Sequence, residues 1–330
     1  MSEDGAAQNF RLESWMSDLP IQLKDIPIIY LAIPGSHDSM TYGITKSSGL
    51  APDAEPILHR LYPLFRGTIL RWTITQALDT KQQLLIGIRY LDLRIATKSG
   101  EDHFYFTHGV YAAEITEALK QVKEFVDEHP GEVVILDCQH FYGFQPEDHQ
   151  RLMRLLLNMY GPILVPRQLD LKAVTLNALQ RLKQQVIVVY RHESVYATGE
   201  FWPPQTLPSP WPRQDRAPGL LAFLGALCRH PSAGFVHQAV LTPTPAFIVL
   251  RWISSLRDKC ALPVINDVLP KLSDFSPGPP APDNETFSRA PVNVVIADFV
   301  DINDSIFSKT IIQLNMKLLR NTDVLYHTNE

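Results

Sequence analysis

Six short apolar runs, rich in β-branched residues and spaced along the whole chain, set the limits on its fold. They are PIIYLAIP (27–34), IRYLDLRI (88–95), EVVILDC (132–138), QVIVVY (185–190), GFVHQAVL (234–241) and VNVVIADF (292–299). Continuous runs of this length fit strands covered on both faces, as in parallel sheets. Parallel strands need crossovers, and amphipathic stretches lie between the runs. In Glu114 to Glu128, Ile115, Leu119, Val122 and Val126 fall at helical spacing, and His129-Pro130-Gly131 ends the pattern. Pro146 to Tyr160 and Ser305 to Leu319 read as helices in the same way. Strand and helix alternate without an internal repeat, which predicts an α/β protein with parallel strands and a single domain over residues 1–330.

Two α/β architectures compete. No Gly-rich phosphate loop follows any run, which disfavours an open nucleotide-binding sheet. Polar residues instead gather at the C-terminal ends of the runs: His37 and Asp38, Asp92 and Arg94, Gln139 and His140, Arg191, Asp298. A TIM-type (β/α) barrel collects such ends on one face, where its active site lies. With six clear strands rather than eight, the barrel is expected to be irregular. Three segments interrupt the alternation: Thr45 to Arg66, the Pro- and Trp-rich Phe201 to Pro218, and SPGPPAP from Ser276 to Pro282.

Composition narrows the partners. The net charge of −5 and the scattered basic residues give no nucleic-acid footprint. No uninterrupted apolar run reaches the roughly 18 residues of a membrane span, and MSEDGAAQNF lacks the pattern of a signal peptide. Three isolated cysteines, Cys138, Cys228 and Cys260, read as core residues in a reducing compartment. A cytoplasmic location is expected.

The strand ends carry the chemistry. His37 follows the first run through Pro34-Gly35, read as a sharp turn that sets the histidine at the barrel mouth; His108 follows FYFT. Each alone reads equally as a loop or core histidine. Together they form a base and an acid that can act across one phosphate, each oriented by an aspartate. Asp38 is either such an aspartate or a turn residue. Asp92 and Arg94 lie two apart and share a face, so Arg94 offers a fixed charge to a phosphodiester with Asp92 as its partner. Asp298, ending an apolar run, needs a partner, and His37 supplies one. His140 and Arg191 either contact the substrate or begin loops. Phe201, Trp202 and Trp211 either line the pocket, dip into a membrane interface, or pack within their loop.

The ordered blocks IPGSHDSMTY, YLDLRIA, FTHGVY, EVVILDCQHF and VVIADF resemble the X-domain of phosphatidylinositol-specific phospholipases C. The resemblance is strongest to the small animal X-domain-containing phospholipase C-like proteins and runs from Trp15 to about Leu319. It implies His37 as general base on the inositol 2-hydroxyl with Asp298 orienting it, His108 as general acid with Asp38 beside it, and Arg94 against the phosphate. Asp92 would hold that network, and with it His140 and Arg191 are the substrate-binding candidates, His140 departing from the family pattern. Where calcium-dependent members place oxygen ligands, this chain has Arg94 and the neutral Gln139 or His140, so no metal or other cofactor is expected. The expected activity is metal-independent cleavage of phosphatidylinositol-type lipids to diacylglycerol and an inositol cyclic phosphate, during transient contact with a membrane. A non-catalytic phosphoinositide- or inositol-phosphate-binding protein, and a phosphodiesterase with another substrate, are the alternatives.

Overall fold

The structure, a computed structural model, describes residues 10–167, 170–280 and 288–319. The 168–169 and 281–287 stretches of the expected 15–319 core, and Ala281-Pro282 of the third loop, lie outside the described residues. The strands are β1 (Ile33–Ser36), β2 (Tyr90–Thr97), β3 (Phe104–Thr107), β4 (Tyr111–Glu114), β5 (Val134–Tyr142), β6 (Val186–Tyr190), β7 (Cys228–Arg229), β8 (Val236–Gln238), β9 (Ser288–Arg289) and β10 (Val294–Ala297). Six of them run parallel in the order β8-β10-β1-β2-β5-β6, and each lies within or overlaps one of the six apolar runs. The antiparallel hairpin β3–β4 extends from β2, and β7 pairs with β9 apart from the main sheet.

Most strands begin about two residues later than their apolar runs. The difference is largest in the first run, where Ile28–Tyr30 forms a 3-10 turn and only Ile33–Ser36 is strand. Pro34 and Gly35 are therefore not a turn. They lie inside β1, opposite Val295 and Ile296 of β10. Glycine is required there, because a Cβ at Gly35 would stand 2.8 Å from Tyr90 Cδ1 and 2.9 Å from Ile296 Cγ2. The chain turns three residues later, at Asp38, whose φ of 41° is left-handed, a region where Asp is better tolerated than most residues.

The barrel wall is completed by an irregular segment from the Pro- and Trp-rich stretch. Trp202 donates from its backbone N to Val188 O and accepts at its O from Tyr190 N, while Gly234 N and Val236 N donate to Thr206 O and Pro208 O. Residues 202–209 thus bridge β6 to β8. Proline has no N–H to give a ladder, so this wall is not a regular strand. Phe201 and Trp202 are buried in it, with Trp202 Nε1 donating to Val165 O, which excludes them from a membrane interface.

Inside the barrel, alternate residues stack as Ile33, Gly35, His37 on the first strand and Tyr90, Asp92, Arg94 on the second; β10 carries Val294 and Ile296, with Asp298 next in the series. The lower layers are apolar, and the upper layer is ionic. The helices Ile115–Glu128 and Pro146–Tyr160 form as the periodicity predicts and cover the outer face through Leu119, Val122, Leu152 and Leu156. The last predicted helix is broken. Ile302–Gln313 ends in a turn at Leu314-Asn315, where the Asn315 side chain accepts from Ala32 N (2.8 Å) and donates to Ala32 O (2.9 Å), tying the turn to the start of β1. Thr45 to Arg66 is a loop running into the helix Leu58–Thr73, which bends at Phe65 two residues after Pro63. Cys138 and Cys260 are core residues as expected, but Cys228 is exposed. Among the described residues no helix is long and apolar enough to cross a membrane.

Candidate active site

The barrel interior delivers His37, Asp92, Arg94 and Asp298 to its C-terminal mouth by strand alternation alone. The left-handed turn at Asp38 then folds its carboxylate back over the same spot. Four bonds to backbone oxygens fix that turn: Thr75 Oγ1 donates to His37 O (3.2 Å) and Asp38 O (3.0 Å), and Gln76 Nε2 to His37 O (3.0 Å) and Ala297 O (2.9 Å). Asp38 N also donates to Asp92 Oδ2 at 3.2 Å. Neither Thr75 nor Gln76 stands out in the sequence, since both lie between an amphipathic helix and the next strand and carry no motif.

His37 is 4% exposed and hydrogen-bonded on both ring nitrogens. Nδ1 lies 2.7 Å from Asp298 Oδ1, and Nε2 lies 2.9 Å from Arg94 Nη2. An arginine can only donate, so this geometry suits the neutral ring with its proton on Nδ1 and a lone pair on Nε2. Burial alone lowers the His37 pKa, but Asp38 and then Asp298 raise it, and the net position is above the ordinary histidine value. Trp211 covers the ring, with centroids 5.3 Å apart. Of the three aromatic candidates in the loop, Trp211 alone reaches the site.

The second imidazole is placed differently. His108 does not end a barrel strand; it sits in the turn of the β3–β4 hairpin, beside Gly109 at φ 68°. Its ring centroid is 6.4 Å from that of His37, with the planes 80° apart. Nδ1 donates to Thr73 O at 2.7 Å, and Nε2 faces Asp38 Oδ2 at 3.2 Å. Both neighbours are acceptors, so each ring nitrogen faces an oxygen that can take a hydrogen bond. The two histidines thus stand on either side of Asp38, His37 Nε2 facing the Arg94 guanidinium and His108 Nε2 facing the carboxylate.

Arg94 lies between the carboxylates. Its Nε is 2.5 Å from Asp38 Oδ1, and Nη2 is 3.5 Å from Asp92 Oδ2. Its nearest partner is therefore Asp38, with Asp92 second. Burial would raise the Asp92 pKa, but Arg94 and His37 outweigh it and hold the carboxyl below its usual value. His37, Asp38 and Asp92 are the only group of three metal-capable side chains that converge among the described residues, with ligand atoms within 4.8 Å of one another. A calcium ion needs six to eight oxygens at about 2.3–2.6 Å. Three donors with a guanidinium in contact with two of them and hydrogen-bonded to the third do not fit one.

The remaining two candidates part company. Arg191 makes a bidentate pair with Asp137, Nε to Oδ1 at 2.8 Å and Nη2 to Oδ2 at 2.7 Å, and Nη2 also donates to Leu207 O at 2.6 Å. Tyr90 Oη donates to the same carboxylate at 2.8 Å. Arg191 thus links β5 to the barrel-closing segment. His140 stands exposed at the rim, its ring stacked 5.8 Å from Tyr142. A β-bulge puts it there, because Arg94 pairs with His140 and Gln139 becomes the extra residue. Desolvation by the rim around it, and then the charge of Arg94, push the His140 pKa below the ordinary histidine value.

Residues 71–192 match the family model described as phosphatidylinositol-specific phospholipase C, X domain. The human PI-PLC X domain-containing protein 3 is 32% identical over 325 residues, covering 96% of this chain and 97% of the human protein. The human PI-PLC X domain-containing protein 1 is 35% identical over 317 residues, covering 93% of each. Among solved structures, a phosphatidylinositol-specific phospholipase C from Staphylococcus aureus superimposes with a TM-score of 0.60 at 16% identity, covering 92% of this chain and 97% of the bacterial one. The enzyme of that name from Listeria monocytogenes gives a TM-score of 0.57 at 17% identity, with 92% and 98% covered. At these identities the bacterial structures establish the fold: a TIM-type barrel.

Proposed function

The chain belongs to the X-domain family of phosphatidylinositol-specific phospholipases C, and we propose that it is a phosphoric diester hydrolase that cleaves phosphatidylinositol-type lipids without a metal ion. The observation that carries the reading is the pair of imidazoles 6.4 Å apart, one with Nδ1 on Asp298 and Nε2 facing the donor Arg94, the other with both nitrogens facing acceptors. In the first step His37 Nε2 takes the proton of the inositol 2-hydroxyl as its oxygen bonds to phosphorus. The bond from phosphorus to the diacylglycerol oxygen breaks, and His108 Nε2 gives that oxygen a proton. Inositol 1,2-cyclic phosphate and diacylglycerol leave. Water can then open the ring with the two roles exchanged.

Arg94 neutralises the phosphoryl oxygens, a service that in-line phosphoryl transfer otherwise draws from a cation. Asp298 holds the His37 tautomer and stabilises the imidazolium as it forms. His140 and Arg191 serve the head group from the rim and the wall, Arg191 through the part of its guanidinium not bound to Asp137.

Two exposed apolar segments, rather than the buried Phe201 and Trp202, are the candidates for membrane contact. Ile57 just before the bent helix, Leu64 and Phe65 within it, and Val249, Leu250, Trp252 and Ile253 beyond β8, are exposed. The two segments meet through Arg71, which donates to Trp252 O (3.0 Å) and Ser254 O (3.2 Å). They border the mouth, since Thr73 at the helix end holds His108. Residues 57–73 and 245–253 carry four arginines and no acidic residue. That face, apolar and basic on a chain of net charge −5, fits an anionic bilayer surface. The exposed unpaired thiol of Cys228 suits a reducing, cytoplasmic setting.

Wild type and His37→Ala are compared on phosphatidylinositol vesicles, with products resolved for cyclic phosphate. Release by wild type at least a hundredfold faster is expected from loss of the base (about 10²–10⁴ for general catalysis). Equal release from both would favour a non-catalytic phosphoinositide-binding protein. A non-cyclic first product would favour a phosphodiesterase with a different substrate.

A further inference from the structure

The loop half of the excursion Thr45 to Arg66, ahead of the bent helix, wraps the hairpin that carries His108. Its backbone joins the hairpin as an added edge: Ala51 N donates to Gly109 O (3.2 Å), and Tyr111 N donates to Gly49 O (2.9 Å), with Leu50 opposite Val110. One side chain reaches further. Asp53 Oδ1 accepts from Thr107 Oγ1 at 2.6 Å, and Oδ2 accepts from Gly109 N at 2.6 Å. These donors belong to the residues immediately before and after His108. Asp53 has no ion pair among the described residues, so its charge is spent on these two bonds.

A hairpin turn with a left-handed glycine at its tip has several accessible geometries, and His108 would swing with it. A carboxylate gripping both flanks removes that freedom. The hydrogen bond from His108 Nδ1 to Thr73 O then fixes the ring about its own torsions. Backbone and ring are held by separate contacts from the same excursion and its helix. Tyr62 Oη and Arg66 Nη2 bind that helix back to the loop through Ser48 O, at 2.6 and 2.7 Å.

We infer that Asp53 is a positioning residue for His108, fixing the turn so that Nε2 faces the leaving-group oxygen; the inference rests on the general-acid role given to His108 above. Asp53 touches no reacting atom. Its effect is confined to steps that need a proton on the leaving group, and this separates it from a residue that only keeps the barrel folded.

The experiment uses the full chain, wild type, Asp53→Asn and Asp53→Glu, on two phosphodiesters of inositol. One is phosphatidylinositol in detergent micelles, whose alkoxide leaving group needs protonation. The other is a nitrophenyl ester, whose leaving group departs without it. The asparagine can accept from only one of the two donors. It lowers kcat on the lipid about tenfold at unchanged KM and on the nitrophenyl ester less than about twofold, the size expected for partial misplacement of one acid. The longer carboxylate of Asp53→Glu recovers part of the loss. An equal loss on both substrates, or no loss on either, overturns the inference. If wild type cleaves neither substrate, the proposed hydrolase activity is wrong and the positioning role is read from ring ¹⁵N NMR. Asp53→Asn then broadens or doubles the His108 signals while those of His37 stay in place, and unchanged His108 signals overturn it.

Discussion

Replacing Leu250 and Ile253 together by serine tests whether the apolar rim docks on a bilayer. Their side chains are 80% and 76% exposed, so the folded protein gains little from them and should keep its stability. Complete burial of such a side chain is worth about 1.5–3 kcal/mol relative to exposure. Scaling by the exposed fraction gives about 1.2–2.3 kcal/mol each, and immersion to half depth leaves about 1.2–2.3 kcal/mol for the pair. At 1.4 kcal/mol per decade this predicts a fall in vesicle partition of roughly 7- to 50-fold. The measurement is co-flotation with vesicles containing phosphatidylinositol, alongside turnover of a soluble inositol phosphodiester. Vesicle turnover should fall in step with binding while soluble turnover is retained, and the remaining binding should weaken as salt screens the arginines. Binding within twofold of wild type would refute the docking surface. A parallel loss on the soluble substrate would show that the segment shapes the mouth.

Other consequences follow from the site. With burial outweighed by Asp38 and Asp298, the His37 pKa is raised, so a base at His37 would be protonated and idle at low pH. The acid limb of kcat/KM should therefore lie above about 6.5, the ordinary histidine value, and Asp298→Asn should move it down while cutting the rate about 10²-fold or more; an unmoved limb would remove Asp298 from its role. On the role proposed for Arg94, EDTA should leave turnover unchanged, and strict dependence on added calcium would end that reading. Gly35→Ala forces a methyl against Tyr90 and Ile296. Overpacking of this kind costs about 1–3 kcal/mol, and with His37 two residues on, denaturant midpoint and activity should fall together.

How much of this the sequence discloses depends on whether local pattern or distant contact decides. The six barrel strands and the helices Ile115–Glu128 and Pro146–Tyr160 are legible because their apolar residues repeat at the period of the structure they form. His37, Asp92, Arg94 and Asp298 are legible for the same reason, each being placed by strand parity at the end of an apolar run. The hairpin position of His108 is not, because FYFT looks alike in a parallel or antiparallel strand. Nor is the fate of Pro34-Gly35: a proline and a glycine signal a turn by propensity, and only the closeness of Tyr90 and Ile296 shows that they form a central strand. Arg191 looks free at a strand end until Asp137, 54 residues away, is seen to hold it. Thr73 acts through its carbonyl, which no sequence pattern reports.

The proline-rich wall that joins β6 to β8 gives the barrel a seam. Elsewhere neighbouring strands are laced by regular ladders, but here a few amides and carbonyls around Trp202, Thr206 and Pro208 span the gap. With few backbone bonds to break, this line is where local opening is expected to cost least. Trp211 lies just past the end of this line and covers His37. The stretch of wall with the fewest ladder bonds is therefore continuous in sequence with the ring that covers His37.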